Sequence, residues 1–114
     1  MKDDRLYLVH ITESIDHILE YTTAGKAAFL SDRKTQDAVI RNLQTLAEST
    51  QQISAGVKMR HPEVDWTRLA GLRNVLVHQY LGVSVERVWE IIERNLPALR
   101  IQVKAILDEL GPGS

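Results

Sequence analysis

Apolar residues recur along most of this chain at alternating gaps of three and four, a rhythm that predicts helices. From about Asp3 to Tyr21, Leu8, Ile11, Ile15 and Ile18 mark one face of an amphipathic helix. The period is lost from Thr22 to Leu30, a stretch that contains Gly25. Ser31 or Asp32 then supplies the short oxygen-bearing side chain that caps a second helix. On it Val39, Leu43, Leu46, Ile53 and Val57 keep the rhythm, with Thr50 at the missing position, so one long helix is expected to about Met59. His61-Pro62-Glu63-Val64-Asp65 interrupts the pattern, because proline disfavours helical geometry in the residue before it. Asp65 is expected to cap a third helix beginning at Trp66, and Gly82 to end it. Ser84 caps a fourth helix with Val85, Val88, Trp89 and Ile92. Pro97 is tolerated in a first turn, so Leu96, Leu99, Val103, Ile106 and Leu110 predict a fifth segment, kinked from or broken off the fourth. No stretch reads as a strand. The expected fold class is all-α, an antiparallel bundle of four to five helices.

The third helix breaks the usual separation of apolar and polar faces. Trp66, Leu69, Leu72, Leu76, Val77, Tyr80 and Leu81 gather on one broad arc, and Arg73 rises from the middle of it. Asn74 and His78 stack along the edge of that arc, and Tyr80 returns to nearly the direction of Arg73. The opposite side carries Gly71 and Val75 and little charge, so the helix is expected in a core or at a subunit interface. A guanidinium keeps its proton, so Arg73 needs an anion there.

The remaining bounds are broad. A chain of 114 residues suits one domain, expected over residues 1–110, with Gly111-Pro112-Gly113-Ser114 reading as a tail. The formal net charge of -1 supplies no global field for nucleic acid, so a polyanion would need a local patch. Cysteine is absent, which removes disulfides and thiolate metal sites. No apolar run approaches the roughly 20 residues of a bilayer span, and no leader pattern is visible, so a cytoplasmic protein is expected.

Several chemistries can be weighed residue by residue. His10 and His17 lie seven apart on the first helix, yet nothing completes a zinc set, and no metal site or cofactor is expected. His61 reads as an exposed loop residue. Asp37 and Arg41 are spaced as an i,i+4 pair, with Gln36, Asp37, Arg41 and Asn42 forming either a solvated strip or a polar wall. Glycine-rich phosphate cradles, GxSxG elbows and dinucleotide fingerprints are missing. Arg73 with His78 is the pair that suits phosphodiester chemistry. An imidazole can take the proton of a ribose 2′-OH or return one to the leaving 5′-oxygen, and an arginine can hold the phosphate. From spacing alone, a structural reading stands beside it, with Arg73 paired to a buried carboxylate and His78 hydrogen-bonded across the bundle.

Arg73-Asn74-Val75-Leu76-Val77-His78-Gln79-Tyr80 has the pattern Arg, four residues, His, one residue, Tyr, and it resembles the HepT-like toxins of the HEPN superfamily. Asp32–Leu43, His61-Pro62-Glu63-Val64-Asp65-Trp66 and Gly82-Val83 before Val88-Trp89 also resemble that family, so the likeness runs to about Leu107. It implies an α-helical bundle that dimerises, with metal-independent RNA cleavage by Arg73 and His78 supported by Asn74. It also implies a type VII-like toxin–antitoxin pair, in which a minimal nucleotidyltransferase antitoxin neutralises the toxin and transfers AMP to Tyr80. RNA, the antitoxin and a second copy of the chain are then the expected partners. The alternative within the same superfamily is a non-catalytic subunit that binds a nucleotide or docks a nucleotidyltransferase.

Overall fold

The computed structural model describes residues 3–78 and 84–111, the side chains of Val77 and His78 excepted. Seven helices are present among these residues: α1 Asp4–Tyr21, α2 Lys26–Leu30, α3 Arg33–Gln52, α4 Ala55–Arg60, α5 Trp66–His78, α6 Val85–Arg94 and α7 Leu96–Leu110. None of the described residues forms a strand. The expected end of the third helix at Gly82 lies outside the described residues.

Helix α1 forms where the periodicity places it. Asp3 accepts from the amide of Leu6 and caps the first turn, and Leu8, Ile11, Ile15 and Ile18 are all fully buried. Burying such side chains contributes about 1.5–3 kcal/mol each, so this face alone commits α1 to the core. Its partner is α3, and the two run antiparallel. Asp4, at the start of α1, bonds Ser54 just beyond the end of α3, whereas His17 near the end of α1 meets Asn42 in mid-α3. The contacts Arg5 to Gly111 and Asp16 to Arg100 set α7 antiparallel to α1 in the same way. Helix α6 packs on α7, and α2 bridges α3 and α6.

Two expectations about the chain between these helices are corrected. The stretch that lost its period contains a short helix, α2, which seats Phe29 in the core against Trp89 with ring centroids 5.6 Å apart. Gly25 precedes it at φ 95°, a backbone that a side chain would strain. The long helix expected to Met59 stops at Gln52, because Ile53 turns extended and Ser54 starts α4. Ser54 is held by Asp4, whose two carboxylate oxygens accept from its amide at 2.8 Å and its hydroxyl at 2.7 Å. A continuous helix would have committed that amide to the preceding turn. The apolar rhythm survives the break, since Ile53 and Val57 are both buried.

The expected caps are present. Asp32 accepts from Lys34 and Thr35, Asp65 from the amide of Arg68, and Ser84 from the amide of Arg87. Pro97 lies in the first turn of α7, which is broken off α6 at Asn95. No helix among the described residues is long and apolar enough to cross a membrane.

Candidate active site on helix α5

Helix α5 carries Arg73, Asn74 and the backbone of His78, and it is anchored at both ends. At its start, Val64 is buried and the Trp66 indole donates to the carbonyl of His61 at 3.0 Å. Lys58 places its ammonium 5.8 Å from the centroid of the same ring. His61 itself is only 8% exposed, so its expected place as an exposed loop residue is corrected. Its Nδ1 lies 3.0 Å from Glu63, and its Nε2 faces Glu109 of α7 at 3.4 Å, within reach of charge but outside hydrogen-bond geometry. Gln102 of α7 donates to the carbonyl of Glu63 at 3.0 Å. Glu63 titrates below the usual glutamate range, chiefly through its own backbone amide and then through His61. The turn before α5 is therefore tied to α7 by side chains on both sides of Pro62.

At the other end the side-chain amide of Gln44 donates to the carbonyl of Leu76 at 3.3 Å, and Leu76 is 1% exposed. Helix α5 thus lies on α3, with Arg73 half-buried one turn from both Leu69 and Leu76. Of the two places expected for α5, a core or a subunit interface, the chain's own fold supplies core packing on one side only. Val75 is 42% exposed, Gly71 and Asn74 are exposed, and Leu69 and Leu72 are partly buried. On this flank α5 stands off from α6 and α7. The groove between them has a volume of about 560 Å³, with Leu72, Val75, Ile91 and Leu99 among its apolar lining and Arg68, Arg87, Arg94, Glu63 and Asp65 among its charged lining.

The carboxylate partner considered for Arg73 is not found: among the described residues no acidic side chain lies within 4.0 Å of its guanidinium. A half-buried arginine without such a partner is available to an external anion. Asn74 projects from the exposed side of the same turn. Tyr80 and the His78 side chain lie outside the described residues. Positions 73 and 78, both on the helix, are separated by five steps, or about 140° around the axis and 7.5 Å along it. His10 and His17 do not converge, since His10 meets Tyr7 edge to face while His17 stacks on Tyr21. Among the described residues no group of three His, Asp or Glu side chains is placed to hold a metal ion. Asp37 and Arg41 are both exposed and form no ion pair.

An all-α protein whose anchored helix presents, five residues before a histidine, an arginine without a carboxylate partner among the described residues fits a phosphodiester-binding class. The family model described as "HepT-like: Ribonuclease HepT-like" matches residues 11–106, and the chain belongs to this family. It is 39% identical over 95 residues to the "Probable ribonuclease HepT" of Thermococcus cleftensis, covering 82% of this chain and 86% of that one. It is 32% identical over 110 residues to a "Putative RNase" of Caldanaerobacter subterraneus subsp. tengcongensis, covering 96% of this chain and 98% of that one. The same identity over 110 residues joins it to the "Gamma-glutamylcyclotransferase and putative RNase" of Methanocaldococcus jannaschii, covering 96% of this chain and only half of that longer protein. No solved structure matches the chain.

Proposed function

We propose that this chain is a metal-independent RNA endonuclease, the toxin of a type VII-like toxin–antitoxin pair. The observation that carries the reading is Arg73, half-buried on α5 without a carboxylate partner among the described residues, in a chain of the HepT-like ribonuclease family. Arg73 binds the scissile phosphate and opposes the charge that builds as phosphorus becomes five-coordinate. A neutral His78 takes the proton of the ribose 2′-OH, whose oxygen attacks phosphorus, and the P–O5′ bond breaks. A second imidazole returns a proton to the leaving 5′-oxygen. Asn74 supports the phosphate contact.

The enzyme is a homodimer, because one copy supplies a single motif histidine where the reaction uses a base and an acid. The spread of about 140° between positions 73 and 78 also favours a site composed from two facing α5 helices. A second copy set along the open flank of α5 covers Leu72 and Val75 and brings Arg68, Arg87 and Arg94 of both copies around one cleft, in excess over the Glu63 and Asp65 that line the same groove. The antitoxin is a minimal nucleotidyltransferase that blocks the cleft and adenylylates Tyr80.

The test is cleavage of RNA by the purified protein in EDTA. The parent chain cuts, whereas His78→Ala and Arg73→Ala each lose activity while staying folded and dimeric. A fully active variant of either kind overturns the catalytic assignment. An uncleaved substrate with the parent chain leaves the non-catalytic nucleotide-binding or docking role.

A further inference from the structure

The ring pair on the far side of α3 has no part in the chemistry above. His17 and Tyr21 stand one turn apart on α1, their rings stacked with centroids 6.1 Å apart and planes 16° from parallel. Both side chains are exposed, Tyr21 at 42%. Stacked rings buried in a core would need no other explanation, but both of these side chains are exposed. The second pair on this helix, Tyr7 and His10, is half-buried and edge to face, and offers no such surface.

Helix α3 connects this pair to the motif helix. The Nδ1 of His17 lies 3.3 Å from the side-chain oxygen of Asn42, whose amide nitrogen donates to the carbonyl of Ala38 at 2.9 Å. Asn42 is thereby fixed at the α1 edge of α3. Gln44 marks the opposite edge through its bond to Leu76. The helical period places Arg41 and Thr45 on the exposed ridge between those edges, with Arg41 about 60° round from Gln44. Asp37 and Glu48 share that ridge, one turn before and two turns after Arg41, and neither lies within 4.0 Å of its guanidinium, which leaves Arg41 able to hold one phosphate. Packed helices lie about 8–10 Å apart. The path from the His17–Tyr21 rings over α3 to the last turn of α5 is therefore about two such spacings, a few nucleotides of single strand.

We propose that this face is a binding track for single-stranded RNA, with His17 and Tyr21 stacking one base and Arg41 holding a phosphate between that base and the cut. It rests on the ribonuclease reading, since it assigns the strand beyond the scissile bond. Stacking on a π-face tolerates any base, whereas one arginine adds an ionic contact. The track therefore selects for unpaired RNA over duplex without choosing a sequence. None of the three side chains touches the reacting atoms.

Fluorescence anisotropy with a labelled mixed-sequence single-stranded RNA, read across a salt series on the His78→Ala background, tests this. Tyr21→Ala and His17→Ala each weaken binding at least about five-fold with the salt slope unchanged. Arg41→Gln weakens binding and lowers the salt slope by about one phosphate. Tyr21→Phe and His17→Phe restore affinity, which a role confined to the His17–Asn42 contact would not allow for His17. Binding that is unmoved by all three losses, but lost in Arg73→Ala, overturns the track and leaves the active-site reading standing. If the parent chain neither binds nor cleaves RNA, the track and the ribonuclease reading fall together. A duplex RNA bound as tightly as the single strand also overturns it.

Discussion

The side-chain amide of Gln44 donates to the carbonyl of Leu76 at 3.3 Å, joining the middle of α3 to the last described turn of α5. Leu76 lies two positions before His78, so the bond fixes the backbone from which the proposed base projects. Its other consequence is a choice of face: with Leu76 turned into the core, the flank bearing Leu72 and Val75 is left facing the groove.

Gln44→Leu keeps the aliphatic part of the side chain and removes the donor. A typical hydrogen bond contributes about 1 kcal/mol net, so the whole fold persists while the end of α5 loosens. RNA cleavage falls by about five-fold or more on this scale, and amide hydrogen exchange rises in the last turn of α5 while α1 stays protected. Unchanged activity together with faster exchange would separate this anchor from the chemistry.

Asp4→Ala removes both acceptors that hold Ser54 at the break between α3 and α4. The pair is partly buried, so the loss is expected to cost about 1–3 kcal/mol, including the unsatisfied serine groups. For a domain of this size each kcal/mol lowers the melting temperature by roughly 4 °C. Thermal unfolding followed by circular dichroism checks the shift, and a melting point within a degree of the parent would contradict the anchoring role.

Glu63 gives the turn before α5 a pH dependence. Its carboxylate is stabilised by its own amide and by His61, and its folded pKa is depressed. The sign follows directly: the contribution is fully present above the unfolded glutamate value of about 4.3 and is lost as pH falls through the lower folded value. The turn before Trp66 is then expected to loosen in acid. In a Trp89→Phe background, Trp66 emission reports this turn alone, and Glu63→Gln should remove that part of the acid response.

These anchors explain which features the amino-acid pattern made legible. Asp32, Asp65, Ser84 and Pro97 act on the backbone within their own turn, so their positions could be read from neighbouring residues. The break at Ser54 could not, because its partner Asp4 lies 50 residues away. Burial of His61 likewise depends on α7, and the open flank of α5 on where α6 and α7 stand. At the site, Arg73 was visible as a fixed charge inside an apolar arc. What the arc could not give was its neighbours, because helical period fixes directions on one helix and says nothing of which helices meet it. The His17–Asn42 contact was hidden for that reason: each residue lies at the edge of its own pattern.

The product of cleavage distinguishes mechanisms. Attack by the 2′-OH forms the new bond within the ribose and expels the 5′-oxygen, so the ends are a 2′,3′-cyclic phosphate and a 5′-hydroxyl. Mass spectrometry of a short RNA after cleavage in EDTA should find both. A 5′-phosphate end formed only with a divalent metal would contradict His78 as the base.

Tyr80 offers the proposed point of control, through a hydroxyl seven positions after Arg73 on the helical period. Seven positions on the helical period return to nearly the same direction, which is what the sequence implies for the phenol relative to Arg73. Transfer of AMP from ATP forms a phosphodiester bond to the phenolic oxygen, releases pyrophosphate and sets a new phosphate beside the guanidinium. That phosphate can take the charge-assisted contacts otherwise made by the RNA backbone, and the adenosine adds bulk in the cleft. Incubation with the cognate nucleotidyltransferase, ATP and Mg²⁺ should add AMP at Tyr80 and abolish cleavage. Tyr80→Phe should remain able to cut yet escape this inhibition. AMP located on another residue, or a phenylalanine variant neutralised as fully as the parent, would mean that binding of the antitoxin alone silences the enzyme.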